Sequence, residues 1–287
     1  MRARAAFILI PALAVLTGCE FDDFGGSANY HEDFHYNYPM KAGGRLNVEG
    51  FNGSVEITAW DQDAVDISGT KSARSDAALA NIRIDVDHQP DAVTIRATRP
   101  TERNGNYGVQ YVIKAPRGTV LDRITTSNGS IRAADFAGPA TLHTSNASVH
   151  INGLKGDARI ETSNGSLELN DITGMVNGHT SNAAIRGRGF RGELDLTTSN
   201  GGVDLTLDST PTGSIKVHTS NAGITLRVPG SVNARLTAST SNGSISSDFD
   251  MDSQGDRERH HVDATLGRGG PLLDLQTSNG GIKLLRQ

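Results

Sequence analysis

The sequence of 287 residues has a single cysteine, few aromatic residues and no excess of positive charge. The single cysteine excludes an intramolecular disulfide framework and any metal site built from several cysteines. Because 27 lysines and arginines face 32 aspartates and glutamates, no positive field exists to hold nucleic acid. Aromatic residues make up 5% of the chain while glycine occurs 33 times, which favours many short strands and turns.

The only long apolar run lies near the N-terminus and is typical of a secretory signal. Two arginines precede apolar residues 6–15, a stretch shorter than the roughly 20 residues that a transmembrane helix requires. The Leu-Thr-Gly-Cys sequence that follows resembles a bacterial lipobox, in which the cysteine is lipidated and becomes the mature N-terminus. The alternative is an ordinary signal peptide that contains a cysteine. The only cysteine stands at the expected cleavage site, so we predict a signal peptide over residues 1–18 and a lipid anchor at Cys19.

A lipidated Cys19 would attach the protein to a membrane without a spanning helix. Glu20 follows the cysteine, which favours the outer membrane in bacteria that sort lipoproteins by this residue. Residues 19–38 show no regular period, so we predict a tether there. We predict that the later of its aromatic residues cap the first coil of the domain; the alternative is contact with a membrane or a partner. The aromatic residues of the tether are Phe21, Phe24, Tyr30, Phe34, Tyr36 and Tyr38.

One tripeptide, Thr-Ser-Asn, recurs eight times from residue 126 onwards. Successive asparagines are 18, 18, 18, 18, 21, 21 and 37 residues apart. A fixed period near twenty residues is the signature of a solenoid. The asparagines are Asn128, Asn146, Asn164, Asn182, Asn200, Asn221, Asn242 and Asn279.

Apolar residues occupy repeated positions on both sides of each asparagine. They stand four residues before it and three and five residues after it, which predicts two short strands with one inward face each. A further apolar residue stands eight places after the asparagine in four coils, and a glycine follows two residues later; such a glycine suits a corner with an unusual backbone angle. We therefore predict an all-β fold, a parallel β-solenoid (β-helix) of about 18–21-residue coils with Thr-Ser-Asn corners.

The eight asparagines form either a binding row or a structural ladder. Stacked amides hydrogen-bond along a column of parallel strands, and asparagine tolerates the left-handed conformations that corners need. We therefore predict a structural Asn ladder, and the threonine column beside it is expected to form a ladder of its own.

Charged residues recur at repeat positions that face away from the core. They indicate how neighbouring strands align, and they do not predict a binding site. Glu168, Arg186 and Asp204 fall four residues after successive asparagines, so their charges alternate along the stack. Asp195 and Lys216 are placed as neighbours in the same way. Because exposed ion pairs contribute roughly 0–1 kcal/mol each, these contacts help to align the coils more than they stabilise them.

One outward column contains residue types that bind metals. His143, Glu161 and His179 fall on consecutive coils. The two imidazoles are then roughly 9–10 Å apart, whereas zinc binds nitrogen at about 2.0–2.1 Å. One ion does not easily reach both, so we predict a solvated face, and neither a metal site nor a cofactor.

Residues 39–120 diverge from the repeat. A corner of the same type centres on Asn52, a short helix capped by Ser75 is predicted over residues 74–81, and alternating strands are predicted at 82–86 and 92–96. A further strand is predicted at 109–113. No linker separates this part from the repeats at 121–287, so we predict one domain over residues 39–287.

This order of motifs resembles a known family. Gly43-Gly44-Arg45-Leu46, the Asn52 corner, Ala59-Trp60-Asp61, the repeated Thr-Ser-Asn-Gly and the closing Gly267-Arg268-Gly269-Gly270 resemble the DUF4097 β-strand-repeat proteins, also described as candidate adhesins. The resemblance covers about residues 34–287. It implies a bacterial envelope β-solenoid without an established biochemical activity, and it supplies no catalytic residues.

The interval between the last two asparagines departs from the pattern by 16 residues, since it spans 37 instead of 21. An irregular charged loop in a regular stack is a common place for function. The alternative is an insertion with longer strands. The candidate partner-binding residues of this loop, at 248–261, are Asp248, Asp250, Asp252, Arg257, Arg259, His260 and His261.

No nucleophile elbow, phosphate loop or zinc-protease motif occurs in the sequence, so we predict no catalytic residues. The sequence favours a non-catalytic envelope lipoprotein that presents a β-surface for adhesion or envelope assembly. Its expected partners are a membrane, through Cys19, and an envelope protein or polysaccharide, but no nucleic acid. The alternatives are an envelope-sensing regulatory module and a β-helix enzyme that acts on polysaccharides.

Overall fold

The structure is a computed structural model that describes residues 30–101, 106–249 and 260–287. The predicted signal peptide, Cys19, and the loop residues Asp250, Asp252, Arg257 and Arg259 lie outside these ranges. Within them the chain is almost entirely β, with one short helix, and no helix has the length and apolarity needed to cross a membrane.

The elements begin and end as follows: β1 (Tyr30–Pro39), β2 (Arg45–Glu49), β3 (Val55–Trp60), β4 (Ala64–Ala73), α1 (Asp76–Ala80), β5 (Arg83–Gln89), β6 (Ala92–Thr98), β7 (Gly108–Pro116), β8 (Val120–Thr126), β9 (Ile131–Phe136), β10 (Ala140–Thr144), β11 (Val149–Lys155), β12 (Ala158–Glu161), β13 (Leu167–Thr173), β14 (Val176–Thr180), β15 (Ile185–Arg188), β16 (Leu194–Thr198), β17 (Val203–Thr206), β18 (Ile215–Thr219), β19 (Ile224–Val228), β20 (Ala234–Thr240), β21 (Ile245–Ser247), β22 (His261–Leu266), β23 (Leu272–Thr277) and β24 (Ile282–Arg286).

The strands form two sheets of twelve strands each, and every regular coil contributes one strand to each sheet. The pairing between regular coils is parallel and in register, as for Leu142 beside Ile160 and Val149 beside Leu167. The inward side chains are almost fully buried and form one continuous apolar core between the sheets. The predicted parallel β-solenoid is therefore confirmed.

The coils do not stack in the order of the sequence. At one end, β2 and β3 are inserted between the coil of β6–β7 and the coil of β8–β9. At the other end, β23 and β24 are inserted between the coil of β18–β19 and that of β20–β21. The irregular interval of 37 residues thus contains β21 of the outermost coil, β23 of the inserted coil and, between them, the antiparallel strand β22, which pairs with β20.

The front region contains the predicted helix and strands. Ser75 caps α1 by accepting a hydrogen bond from the Ala78 amide at 3.2 Å. The predicted strands appear as β5, β6 and β7. Residues 30–38, assigned above to the tether, instead belong to β1, which pairs antiparallel with β4 along the edge of one sheet. The aromatic side chains at 34, 36 and 38 pack against the core from this strand.

Four coils carry a glycine ten residues after the asparagine, and the structure gives these glycines a different physical role from the one predicted. Only Gly174 and Gly192 adopt a positive φ, whereas Gly138 and Gly156 do not. All four lie against backbone of the preceding coil, so that an added Cβ would overlap it. Close approach between coils, more than an unusual backbone angle, therefore explains this column of glycines.

Candidate functional site

The Thr-Ser-Asn corner is a continuous chain of amide hydrogen bonds. Each asparagine donates from Nδ2 to Oδ1 of the asparagine in the preceding coil of the stack. Asn52 is the first acceptor, so the row has one more member than the eight Thr-Ser-Asn copies. In stacking order the row is Asn52, Asn128, Asn146, Asn164, Asn182, Asn200, Asn221, Asn279 and Asn242, with distances of 2.5–2.8 Å.

The threonines of this corner do not form the ladder of hydroxyls that the sequence suggested. Each is buried and donates its hydroxyl to a backbone carbonyl of the preceding coil, as Thr180 does to Gly165 O at 2.8 Å. Thr162 and Thr198 make the same bond to Ala147 and Ala183. Because the asparagine amides and the threonine hydroxyls of this corner bond within the stack, we interpret these two columns as structural.

The residue after each asparagine alternates between glycine and alanine along five regular coils: Gly129, Ala147, Gly165, Ala183 and Gly201. A Cβ at Gly165 or Gly201 would overlap the carbonyl oxygen of the preceding alanine. In those two coils the threonine hydroxyl also accepts from the glycine amide at 3.2 Å. The true structural period is therefore two coils.

The opposite corner, after the second strand of each coil, is built around one residue in the left-handed conformation. This residue is Asp135, Gly153, Asp171 and Gly189 in successive coils, with φ of 65°, 73°, 55° and 71°. Aspartate and glycine are among the residues that tolerate this conformation best. It interrupts the alternation of the strand by one residue, which turns the next side chain inward, for example Phe136 and Leu154.

Charge at this corner follows the same period of two coils. Where the left-handed residue is aspartate, the residue two places later is small: Ala137 follows Asp135, and Thr173 follows Asp171. Where it is glycine, the residue two places later is a cation, namely Lys155 or Arg191. Cations and carboxylates therefore alternate coil by coil along the solenoid axis.

These residues line a groove of about 440 Å³ that we call the corner groove. Its rim carries Arg117, Asp135, Lys155, Asp171, Arg191 and Asp208, and its floor contains Phe136, Leu154 and Phe190. This volume is within the range of roughly 300–1,000 Å³ that ligand sites occupy.

The rim charges of the corner groove are mostly not paired with one another. Arg117 forms an ion pair with Asp61 at 3.3 Å and donates to the Asp135 carbonyl at 3.1 Å. Among the described residues, Lys155 and Arg191 form no ion pair within 4 Å, and neither do the three rim carboxylates. The groove therefore exposes cations and carboxylates to solvent.

The outward columns have the predicted register but different ion pairs. Arg186 lies between Glu168 and Asp204, yet Glu168 contacts His150 at 2.9 Å and Asp204 pairs with Arg227. Asp195 and Lys216 are register neighbours on the other sheet.

The histidine column runs along the outer face of the second sheet. Glu161 lies between His143 and His179 in register, and it is 3.7 Å from the His143 ring. Within the described ranges, no group of three or more metal-ligating side chains is close enough to hold an ion.

Within the described ranges, three carboxylates have a pKa below the ordinary value, each because of a polar partner. The Arg96 hydrogen bonds hold the pKa of Glu49 below its usual value. Burial opposes the same effect at Asp66, but hydrogen bonds from His35 and Asn37 lower its pKa. A hydrogen bond from His261 lowers the pKa of Asp263. Such carboxylates are stabilised in the ionised form, which suits ion pairs better than general acid catalysis.

The described ends of the 248–261 loop are attached to the outermost coils. Asp248 accepts a hydrogen bond from the Arg286 amide at 3.1 Å, and the Arg286 guanidinium lies 4.9 Å from the Phe249 ring centre. His260 donates to the Gly243 carbonyl at 3.0 Å, and His261 contacts Asp263 at 2.9 Å.

Sequence reasoning missed the corner groove, although a signal for it was present. The Thr-Ser-Asn tripeptide repeats every 18 residues in this part, but the charges at the opposite corner repeat every 36 residues. Coils with Asn-Gly carry the left-handed aspartate, and coils with Asn-Ala carry the cation. Comparing every second coil, for example Asp135 with Asp171 and Lys155 with Arg191, reveals it.

The comparison with protein families agrees with the fold. The family model described as Toastrack DUF4097 matches residues 39–285. No curated protein matches the sequence significantly.

Similar solved structures include a candidate adhesin from Bacteroides fragilis, with 14% identity and a TM-score of 0.46, covering 88% of this chain and 97% of that one. A candidate cell adhesion protein from Clostridium sporogenes has 11% identity and a TM-score of 0.29, covering 89% and 100%. A candidate adhesin from Parabacteroides merdae has 10% identity and a TM-score of 0.27, covering 89% and 97%.

Proposed function

The chain belongs to the Toastrack DUF4097 family, and on that premise we propose that it is a non-catalytic lipoprotein of the bacterial cell envelope. In this proposal Cys19 is the anchor, the outer membrane is the site of attachment, and the solenoid surface serves adhesion or envelope assembly. The first described residue, Tyr30, lies 11 positions after Cys19.

The observation that carries this proposal is the position at which the chain enters the stack. Tyr30 begins β1, the edge strand of one sheet, and β5 is the edge strand of the other sheet at the same end. The edge strands of the opposite end are β21 and β22. With twelve strands per sheet spaced about 4.8 Å apart, the far end lies roughly 50 Å away. An anchor before β1 would therefore leave a long, regular surface projecting from the membrane.

The electrostatics support a non-catalytic role. Among the described residues, the carboxylates with displaced pKa values are Glu49, Asp66 and Asp263, and polar partners on the same or a neighbouring strand lower each pKa. A polysaccharide-cleaving enzyme instead needs an acid whose pKa is raised towards the working pH.

Protease accessibility on intact cells tests the proposal, with Cys19→Ala as the control. We expect digestion of the wild-type solenoid without lysis, membrane fractionation that is lost in Cys19→Ala, and binding of intact cells to immobilised host or cell-wall polymers. Full protection of the wild type would contradict adhesion and favour a sensing or structural role in the periplasm.

Turnover of a polysaccharide tests the enzymatic alternative. Glu168 and Asp204 are outward carboxylates already engaged by His150 and Arg227, so we expect Glu168→Gln and Asp204→Asn to change only these contacts. Turnover that either substitution abolished, without unfolding the protein, would contradict the non-catalytic proposal.

A further inference from the structure

We propose that the corner groove binds a linear acidic polysaccharide in which a carboxylate-bearing sugar alternates with a neutral sugar. This inference rests on the proposed adhesive function and assigns it a ligand class and a site.

The cations of the corner groove are evenly spaced along the solenoid axis. Arg117, Lys155 and Arg191 occupy one column, because the Ala137 amide bonds Arg117 O and Thr173 pairs with Arg191 in parallel register. One coil without a cation separates each from the next, so their backbones are spaced by roughly 9–10 Å. This spacing is close to the length of a disaccharide in an extended glycan, and one coil corresponds to about one sugar.

The charges on the rim of the corner groove alternate in sign from coil to coil. The coils between the cations present Asp135 and Asp171, and Asp208 follows after Arg191. A carboxylate on every second sugar would meet Lys155 or Arg191 and form charge-assisted hydrogen bonds. The intervening neutral sugar would place its hydroxyl and amide N–H donors against the aspartates, which are acceptors only when ionised.

The alternating charges should make the corner groove selective among polysaccharides. A polymer with a carboxylate on every sugar would place half of its charges against the rim aspartates, where like charges repel. A neutral polymer would leave Lys155 and Arg191 without anionic partners. The alternation in the groove therefore favours an alternating ligand over both uniform classes.

The charged side chains on the rim of the corner groove are accessible to a ligand. The rim side chains of Asp135, Lys155, Asp171 and Arg191 are exposed, and the described residues offer the two cations no ion pair. The Thr-Ser-Asn corner has the same period, but its asparagine amides and threonine hydroxyls bond within the stack. The corner groove thus combines a repeating charge pattern with groups that are free to bind.

Calorimetric titration of the full-length protein in detergent micelles tests the proposal. The probes are oligosaccharides of equal length: hyaluronan, in which glucuronate alternates with N-acetylglucosamine; polygalacturonate, with a carboxylate on every sugar; and chitin, with none. We expect hyaluronan to bind at least about tenfold more tightly than either uniform oligosaccharide, which corresponds to the gain from one or two additional charge-assisted hydrogen bonds.

The variant Lys155→Ala/Arg191→Ala should weaken hyaluronan binding at least about tenfold. The matched control Arg186→Ala/Lys216→Ala removes two cations from the outer faces of the sheets, and it should change binding less than about twofold. Equal losses in both variants would reduce the effect to general charge attraction and overturn the assignment to the groove.

Two further results would overturn the proposal: polygalacturonate binding as tightly as hyaluronan, or no binding of hyaluronan at all. The adhesion assay separates this inference from the proposed function. If cells carrying Lys155→Ala/Arg191→Ala still adhere as the wild type does, the groove assignment fails while the adhesive function stands. If wild-type cells do not adhere, the proposed function itself fails.

Discussion

The Thr-Ser-Asn corner and the corner groove lie at opposite ends of the same strands and repeat with the same period of two coils. At the first corner, Asn164 bonds Asn146 at 2.7 Å and Thr180 bonds a backbone carbonyl at 2.8 Å, so the repeated asparagine amides and threonine hydroxyls form hydrogen bonds within the stack. At the second, Lys155 and Arg191 reach solvent without an ion pair among the described residues. A repeated polar residue can therefore be structural or functional. The difference is whether its polar groups form hydrogen bonds within the stack.

The largest expected effect is at the alternating glycine of the Thr-Ser-Asn corner. A Cβ at Gly165 would overlap the Ala147 carbonyl oxygen, so we expect Gly165→Ala to destabilise the fold by at least about 3 kcal/mol. Ala147→Gly is the matched control and should cost only about 0.5–1 kcal/mol through chain entropy. Thermal unfolding followed by circular dichroism measures both. Equal effects would mean that the alternation of glycine and alanine has no structural basis.

The next effect is at the buried threonine column. Thr180→Val removes the hydroxyl that bonds Gly165 O and should cost about 1–3 kcal/mol, because it leaves a buried carbonyl without that donor. Thr180→Ser keeps the hydroxyl and should cost less, about 0.8 kcal/mol for the lost methyl group. Denaturant unfolding of the two variants ranks them, and a larger loss for serine would show that the methyl group matters more than the hydrogen bond.

A charge inserted into the groove should change selectivity. Thr173→Lys would place cations on three consecutive coils, with Lys155 and Arg191 on either side, to match a carboxylate on every sugar. We expect the affinity ratio of polygalacturonate to hyaluronan to rise about tenfold. Thr141→Lys adds the same charge on an outer face and should leave the ratio unchanged; a similar rise there would contradict the groove.

The ion pair between the inserted front coil and its neighbour predicts a smaller, pH-dependent effect. Arg96 donates to both oxygens of Glu49, at 2.7 and 3.1 Å, and this lowers the pKa of Glu49. The resulting stabilisation is complete above the pKa of the unfolded chain, about 4.3, and is lost as the pH falls through the lower folded-state value. Glu49→Gln should therefore reduce stability at neutral pH and flatten the acid limb of a stability–pH profile. An unchanged acid limb would contradict this assignment.

Stability should change least when the two cations of the corner groove are removed. Lys155→Ala/Arg191→Ala should change the free energy of unfolding by less than about 0.5 kcal/mol, because both side chains are exposed and unpaired. A loss comparable with that of Thr180→Val would mean that the groove charges stabilise the stack, as the polar groups of the other corner do.

Much of the regular part could be predicted from the sequence because inward positions recur at fixed distances from each asparagine. The strand β1 was missed, although Phe34, Tyr36 and Tyr38 alternate with polar residues as a half-buried edge strand requires. The left-handed residues were missed because Asp135 and Gly153 share a backbone conformation without sharing a side chain. Only the period of two coils relates them.

The length of the coil, its two strands, the inward columns and the Thr-Ser-Asn corner all follow from the amino-acid sequence, because each depends on contacts within a coil or between identical neighbours. The order of the coils at both ends is apparent only in the folded structure. Asn221 accepts from Asn279, which in turn accepts from Asn242, since every corner offers the same donor and acceptor and any coil can follow any other. The inserted coils β2–β3 and β23–β24 lie inside the stack, and the antiparallel strands β1, β5 and β22 form three of the four sheet edges, while the short parallel strand β21 forms the fourth.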